Sequence, residues 1–452
     1  MGFRRCLADP ERSTIRHLTG WPGRFESVLA AGLSGYSLYW VLFIIQPQIY
    51  RVSFLLIVLV LTFLLFPASR DLQPVRVRAA DWALTLAAVV GLGWPLLDFT
   101  RFVYRAAEPL PVDLVLGSLT IVLVLEATRR TVGWVLPATA LAFLGYAWLG
   151  PMFDRIGLSS IAHRGYGLDR LIGSLYMTLE GIFGVPLDVA ATYIILFTIY
   201  GAVLEQSKAG RFFIDWAMAV SGRSAAAPGR SVTMAGFLLG TVSGSGVATT
   251  VMLGSVAWPI LRRAGYAPER GGAMLSAAGI GALLSPPTLG AAAFLIAEFL
   301  QISYLQVLVM ATLPTALYYL SIFLMIEADA RKTNARVEGQ VPGASSAERP
   351  ARPFAGELAR RYWYHFTSLV AIAALMVAGM SAFRAVFWAT ILAVALSYIR
   401  RDTALTPARL LEVLRSGARD VLGVAATTAT AGIIVGVVTL TGLGLKVAGL
   451  IV

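Results

Sequence analysis

Apolar residues in this chain come in long charge-free blocks separated by short arginine-bearing connections. Uncharged runs span residues 28–45, 52–66, 82–97, 114–125, 132–149 and 189–204. A helix that rises about 1.5 Å per residue needs roughly 20 mostly apolar residues to cross about 30 Å of hydrocarbon. These six runs therefore predict six ordinary crossings. After residue 205 the blocks lengthen: 231–261, 271–297, 299–326 and 421–445 hold 31, 27, 28 and 25 residues without a charge. Three of the four carry helix-breaking residues near the middle, unlike plain crossings.

The first break reads Gly240-Thr241-Val242-Ser243-Gly244-Ser245-Gly246, and the second Ser285-Pro286-Pro287-Thr288. Proline removes a backbone donor and clashes with the preceding turn, whereas glycine tolerates conformations other residues avoid. Backbone freed inside a membrane survives only where protein or a water-filled cavity covers it. An interrupted helix also exposes amides or carbonyls, a partial charge without a buried ion. Carbonyls with Ser and Thr hydroxyls suit a small cation such as sodium, and amide ends with hydroxyls suit a carboxylate. A single break is more simply a packing glycine or a proline kink. Several breaks in one chain favour a binding site.

An internal repeat supports that preference. Gly236, Gly240, Ser243, Ser245 and Gly246 recur as Gly432, Gly436, Thr439, Thr441 and Gly442, each 196 residues later. The first copy follows two apolar runs and an amphipathic stretch at 211–222, and the second follows runs at 366–383 and 385–399 and an amphipathic stretch at 406–420. Interrupted segments at matching places in two halves point to a transporter site at their interface. The expected fold is an all-α polytopic membrane protein, an inverted-repeat transporter with re-entrant hairpins and broken helices. Its regions are a four-helix N-terminal part (1–131), a first transport repeat (132–327), a polar linker (328–364) and the start of a second repeat (365–452).

Composition agrees with this picture. Hydrophobic residues make up 57% of the 452 and charged residues 14%, against about 25% charged in soluble domains. The net charge of +12 is almost all arginine, because only Lys208, Lys332 and Lys446 are lysines. The arginines lie between apolar runs and form no basic stripe, which argues against nucleic acid as a partner. A lone cysteine, Cys6, excludes an intrachain disulfide and a cysteine-built metal site. Arg4, Arg5, Arg12, Arg16 and Arg24 precede the first crossing while only Arg51 follows it, and Arg70, Arg76, Arg78, Arg129 and Arg130 continue the bias. That count places the N-terminus in the cytoplasm. Pro10, Pro22 and the lack of an early apolar core make the first helix its own insertion signal rather than a cleaved leader.

In this order the residues resemble a known family. The run Gly240 to Ala248, Trp258-Pro259, Arg263 to Glu269, Ser285 to Phe294 and Ala297-Glu298 resembles the large membrane subunit of tripartite ATP-independent periplasmic (TRAP) transporters, especially permeases with small and large subunits fused. Gly181 to Pro186 and Leu317-Tyr318-Tyr319 fit the same group. Residues 1–127 resemble the small subunit only in their four crossings. The resemblance implies an elevator-type, sodium-coupled importer of small organic anions in the bacterial inner membrane, supplied by a periplasmic solute-binding protein. It carries ion and substrate contacts to Ser243, Gly244, Ser245, Gly246 and Thr249, to Ser285, Pro286, Pro287 and Thr288, and to Thr439, Thr441 and Gly442. Sodium is the implied coupling ion, at Ser243, Ser245 and Ser285, and there is no catalytic residue or other cofactor. Two departures weaken the substrate contacts: many fused members have Asn where Thr249 stands, and Ser-Thr-Gly-Gly-Gln where this chain has Gly279 to Leu283.

Two rivals stand beside a transporter. An intramembrane serine hydrolase would use Ser243 or Ser245 as nucleophile and His365 as base, yet neither serine lies in a Gly-x-Ser-x-Gly elbow. A degenerate, non-transporting scaffold is the third reading. His17 and His163 lie in connections and are expected to be solvated, while His365 beside Tyr362, Trp363 and Tyr364 reads as an interfacial aromatic belt. Asp188, Glu205, Asp215, Glu298 and Glu327 border apolar runs, where snorkelling or pairing is expected. In the first half 80 residues run from Gly246 to residue 326, whereas ten follow Gly442. The expectation is thus of an incomplete second repeat, by truncation or with the missing part on another chain, that does not accumulate substrate alone.

Overall fold

The computed structural model describes residues 15–16, 18–43, 45–68, 77–222, 224, 226–243, 246–337 and 355–451. Among them every regular element is helical. In chain order the helices are α1 (Gly20–Leu42), α2 (Pro47–Leu65), α3 (Ala79–Leu97), α4 (Phe99–Tyr104), α5 (Pro111–Thr131), α6 (Val135–Trp148), α7 (Gly150–Arg155) and α8 (Leu168–Met177). Then come α9 (Val185–Gln206), α10 (Ala209–Val220), α11 (Ala227–Ser243), α12 (Gly246–Arg263), α13 (Pro268–Ile280) and α14 (Ala291–Leu300). The last are α15 (Tyr304–Val337), α16 (Ala355–Tyr362), α17 (Tyr364–Val377), α18 (Ala382–Ser397), α19 (Pro407–Thr441) and α20 (Leu443–Ile451). Six described helices, α2, α3, α5, α9, the stretch Tyr304–Arg331 of α15, and α19, are long and apolar enough to cross a membrane. The chain is an all-α polytopic membrane protein.

Two compact units divide the chain, Met1–Ile195 with Leu414–Val452, and Leu196–Val413. The first unit is built around α2, whose Phe54, Leu55, Val58, Leu59, Leu61, Phe63 and Leu64 are fully buried. Gly117 lets α5 approach α8, because a Cβ there would stand 2.9 Å from Tyr176 Cδ1. Hydrogen bonds between helices add to this packing, as is usual where lipid offers no hydrophobic contrast. Tyr50 Oη donates to the Ala191 carbonyl (2.6 Å), Tyr176 Oη to that of Gly91 (2.5 Å) and Thr128 Oγ1 to that of Ala426 (2.8 Å).

Several arginines of the orientation count are pinned inside this unit. Asp81 accepts Arg16 at 2.8 Å and Arg130 at 2.7 Å, with all three side chains 1–2% exposed. Glu126 holds Arg129 (2.6 Å) and Arg130 (2.8 Å), and Arg51 meets Asp188 (2.8 Å) and the Phe183 carbonyl (3.0 Å). These charges are neutralised where they enter apolar surroundings, as burial requires.

Helix α19 departs from the sequence reading. The amphipathic stretch 406–420 and the apolar run beyond it form one continuous helix, whereas their counterparts in the first half are the separate helices α10 and α11. Gly222, at φ +77°, stands between α10 and α11, and Pro228 is the second residue of α11. At the same repeat positions, 196 residues on, the chain has Ala418 and Val424, so nothing interrupts the helix. It ends at Thr441, and Gly442 at φ +66° makes the turn into α20.

One histidine also differs from expectation. His163 is half-buried rather than solvated: its ring lies 4.8 Å from Tyr146 and 5.4 Å from Tyr166, with Nε2 3.1 Å from the Tyr146 carbonyl and Nδ1 accepting the Gly165 N–H at 3.1 Å. Burial, with Lys446 nearby, holds it below the usual histidine pKa, against the upward pull of the Tyr146 carbonyl. His365 is 3% exposed, between Phe212 and Tyr364. His17 lies outside the described residues, as do Cys6 and residues 338–354 of the linker.

In the second unit α10 to α13 share one core of Ile214, Ala217, Val232, Ala235, Leu239, Leu253, Ala257, Leu261, Leu275 and Ala278. Helices α17 and α18 pair as a hairpin, and Phe212 and Phe213 of α10 pack on Phe366. Tyr200 Oη and Ser368 Oγ meet at 3.1 Å.

Candidate functional site

Three helices and one interrupted helix frame the second unit's polar segment. Helices α11 and α12 form a hairpin: the buried residues 232, 235 and 239 of one limb and 261, 257 and 253 of the other are spaced evenly about its tip. The return limb ends with Arg262 and Arg263, cations suited to a helix C-terminus. Gly265, at φ +83°, allows the Tyr266 N–H to reach back to the Leu261 carbonyl at 3.1 Å. Pro268 then opens α13 at its first position.

Helix α13 runs alongside α11 at glycine-mediated distance. A Cβ on Gly236 would lie 2.6 Å from Ala278 Cβ, and one on Gly240 would lie 2.6 Å from Ala282 Cα and 3.3 Å from Ser285 Oγ. On the return limb, a Cβ on Gly246 would lie 3.2 Å from the Gly279 carbonyl. Gly240 and Gly246 thus bring the adjoining ends of the two limbs against the end of α13. This is close backbone approach of the kind small residues permit.

Where α13 ends, a short 3-10 turn (Gly281–Leu283) leads into Ser285-Pro286-Pro287-Thr288, with a cis peptide between the prolines, and α14 resumes at Ala291. Several backbone groups freed here are paired within the protein. The Gly290 N–H donates to the Leu283 carbonyl (3.0 Å), Thr315 Oγ1 to that of Leu284 (2.6 Å), and Tyr304 Oη to that of Pro287 (3.0 Å) while accepting the Leu289 N–H (3.2 Å). Such internal satisfaction is what a membrane-embedded break needs.

The hydroxyls of the break are engaged as well. Ser285, fully buried, donates to the Gly281 carbonyl at 2.9 Å and lies 3.1 Å from Tyr319 Oη. Thr288, 2% exposed, reaches the carbonyls of Thr241 (2.7 Å) and Gly240 (3.2 Å) on the last turn of α11. Two segments singled out in the sequence, the glycine motif and the Ser-Pro-Pro-Thr break, are therefore one structural unit. Thr249 is fully buried on the first turns of α12, beside Thr250, whose hydroxyl bonds the Gly246 carbonyl at 2.7 Å. Gly244 and Ser245 lie outside the described residues, and so does the side chain of Ser243.

Thr439, Thr441 and Gly442 belong to the other unit. There Thr441 Oγ1 bonds back to the Val437 carbonyl (2.8 Å), and Gly442 sits at the break between α19 and α20. The repeat's glycines again mark close approach, since a Cβ on Gly436 would lie 2.8 Å from the Glu180 carbonyl. Tyr166 Oη caps the Leu440 carbonyl (2.8 Å), and Lys446 Nζ donates to that of Ala162 (2.7 Å).

Sequence reasoning missed the three side chains of α15 that clasp the break, Tyr304, Thr315 and Tyr319. Their spacing of 11 and 4 residues puts them on one helix face, a signal present in the sequence. Among the described residues no cluster of three or more His, Cys, Asp or Glu could hold a metal. The arrangement offers hydroxyls, carbonyls and helix ends. No curated protein matches the chain. Residues 119–452 match a family model, described as tripartite ATP-independent periplasmic transporter, DctM component.

Proposed function

The chain belongs to the DctM component family of tripartite ATP-independent periplasmic transporters, and we propose that it imports small organic anions by coupling their entry to sodium. Membership makes it a multi-pass membrane permease of a secondary transporter whose partner is a periplasmic solute-binding protein. The finer reading places it in the bacterial inner membrane with its N-terminus in the cytoplasm. Sodium is held by Ser243, Ser245 and Ser285, and the anion lies against Gly244, Gly246, Thr249, Pro286, Pro287 and Thr288, with Thr439, Thr441 and Gly442 contributing from the second repeat. Residues 1–127 and the two-crossing units form a static frame, and 231–326 belongs to the moving element.

The observation that carries this reading is the junction itself: the last turn of α11, in a hairpin that is uncharged from 231 to 261, bonded through Thr288 to an interrupted helix. Such a body can slide through hydrocarbon without dragging a formal charge across it. Partial charges at helix ends then select the ion and the carboxylate.

Deleting this chain in cells that carry the whole system tests the function. Uptake of an organic anion that disappears on deletion, returns on complementation and requires an inward sodium gradient supports the proposal. Uptake unaffected by deletion or indifferent to sodium contradicts it. For the elevator, a cysteine at Ser245 should react from each side of the membrane in turn, and one-sided reactivity under all conditions would contradict the motion.

A further inference from the structure

Three groups on α15 hold the break, and they differ in what they hold. Tyr304 and Thr315 bond only backbone: the Pro287 carbonyl and Leu289 N–H for Tyr304, and the Leu284 carbonyl, shared with that of Ala311 in its own helix, for Thr315. Tyr319 meets a side-chain hydroxyl, that of Ser285, at 3.1 Å. Its ring is fixed in place: Phe237 of the hairpin packs edge-on at 5.1 Å, and a Cβ on Gly281 would lie 2.7 Å from Tyr319 Cζ. The phenol therefore reaches the break from a rigid seat.

A serine hydroxyl has one proton and two lone pairs. Here Ser285 gives its proton to the Gly281 carbonyl at 2.9 Å, so Tyr319 is the donor across the 3.1 Å contact. A cation bound by Ser285 Oγ takes up one lone pair of that oxygen, while the Gly281 carbonyl, with two lone pairs, can keep the serine proton. The Tyr319 phenol, donating to the other lone pair across 3.1 Å in this fully buried position, fixes which way the serine oxygen's free lone pair points. We propose that Tyr319 is a positioning residue for the ion site, holding the Ser285 hydroxyl turned so that its free lone pair faces the ion.

This role rests on the reading of Ser285 as a sodium contact, and the experiment separates the two. The full-length protein, purified in detergent, is titrated with sodium chloride against choline chloride at constant ionic strength, and sodium-dependent thermal stabilisation gives an apparent Kd. Ser285→Ala should weaken sodium binding, and Tyr319→Phe should weaken it about three- to tenfold, the worth of one hydrogen bond. The double variant should be no weaker than Ser285→Ala alone. Tyr318→Phe is the control: its hydroxyl bonds the Ala277 carbonyl at 2.7 Å and touches no ion contact, so it should lower the thermal midpoint without moving the Kd. An unchanged Kd in Ser285→Ala would remove the ion-site reading and Tyr319's role with it. A weakened Ser285→Ala beside a Tyr319→Phe that binds like wild type, or losses that add in the double variant, would overturn the role of Tyr319 alone.

Discussion

Replacing Thr288 by valine removes one hydroxyl while keeping the shape of a side chain that is 2% exposed. That hydroxyl is the hydrogen-bonded link from the break to the Thr241 and Gly240 carbonyls at 2.7 and 3.2 Å. Leaving buried carbonyls without this donor costs about 1–3 kcal/mol. The loss falls on the junction between hairpin and break, so local opening there should become about 5- to 150-fold more frequent. Hydrogen exchange read by mass spectrometry should show faster exchange in peptides covering 236–243 and 281–290, with α2 as an unaffected reference. Thr312→Val, which loses only a bond to the Leu308 carbonyl in its own helix (2.9 Å), should leave those peptides unchanged. Exchange at 281–290 that is the same in Thr288→Val as in wild type would refute the claim that Thr288 fastens the two segments.

Further outcomes follow from the same geometry. Gly240→Ala drives a Cβ to within 2.6 Å of Ala282 Cα, which is backbone and cannot swing aside; a loss of about 1–3 kcal/mol is expected, read as a lower thermal midpoint of the purified protein. Asp81→Asn leaves buried Arg16 without its carboxylate and Arg130 with Glu126 alone and should cost about 3–5 kcal/mol, whereas Asp98→Asn, whose partner Arg101 is mostly exposed, should cost at most about 1 kcal/mol; similar thermal midpoints for the two variants would contradict the burial argument. His163 has a depressed pKa in the folded chain, so the unfolded state binds the extra proton; stability is full above the unfolded value of about 6.5 and falls as pH drops below it. His163→Gln should flatten that part of the pH profile of the thermal midpoint, and an identical slope in the variant would count against it.

Much of the architecture was legible because a crossing needs little tertiary information. The runs 52–66, 82–97, 114–125 and 189–204 became α2, α3, α5 and α9, each extended by a turn or so where polar residues such as Asp81, Asp113 and Arg130 continue the helix into ion pairs. The breaks were legible too, since Gly and Pro announce themselves locally. Partners distant in the chain were not. Nothing local says that Thr288 reaches Gly240 and Thr241, or that Tyr319 reaches Ser285, because those pairs are decided by how α11, α13 and α15 pack. The continuity of α19 could have been read from Ala418 and Val424, which replace the first half's breakers, but the repeat suggested two helices instead. Counting arginines for orientation treats them all as surface charges, and Arg16 and Arg130 are buried against Asp81.

The central claim is that sodium enters the transport cycle at the hairpin tip and the Ser-Pro-Pro-Thr break. Initial rates of anion uptake, measured against sodium concentration in cells carrying the complete system with Ser243→Ala, Ser245→Ala or Ser285→Ala in this chain, test it most directly. A hydroxyl lost from a desolvated ion site costs about 1–3 kcal/mol, so the half-saturating sodium concentration should rise about tenfold or more in Ser245→Ala and in the same direction in the other two. Identical sodium dependence in all three variants and wild type would contradict the account.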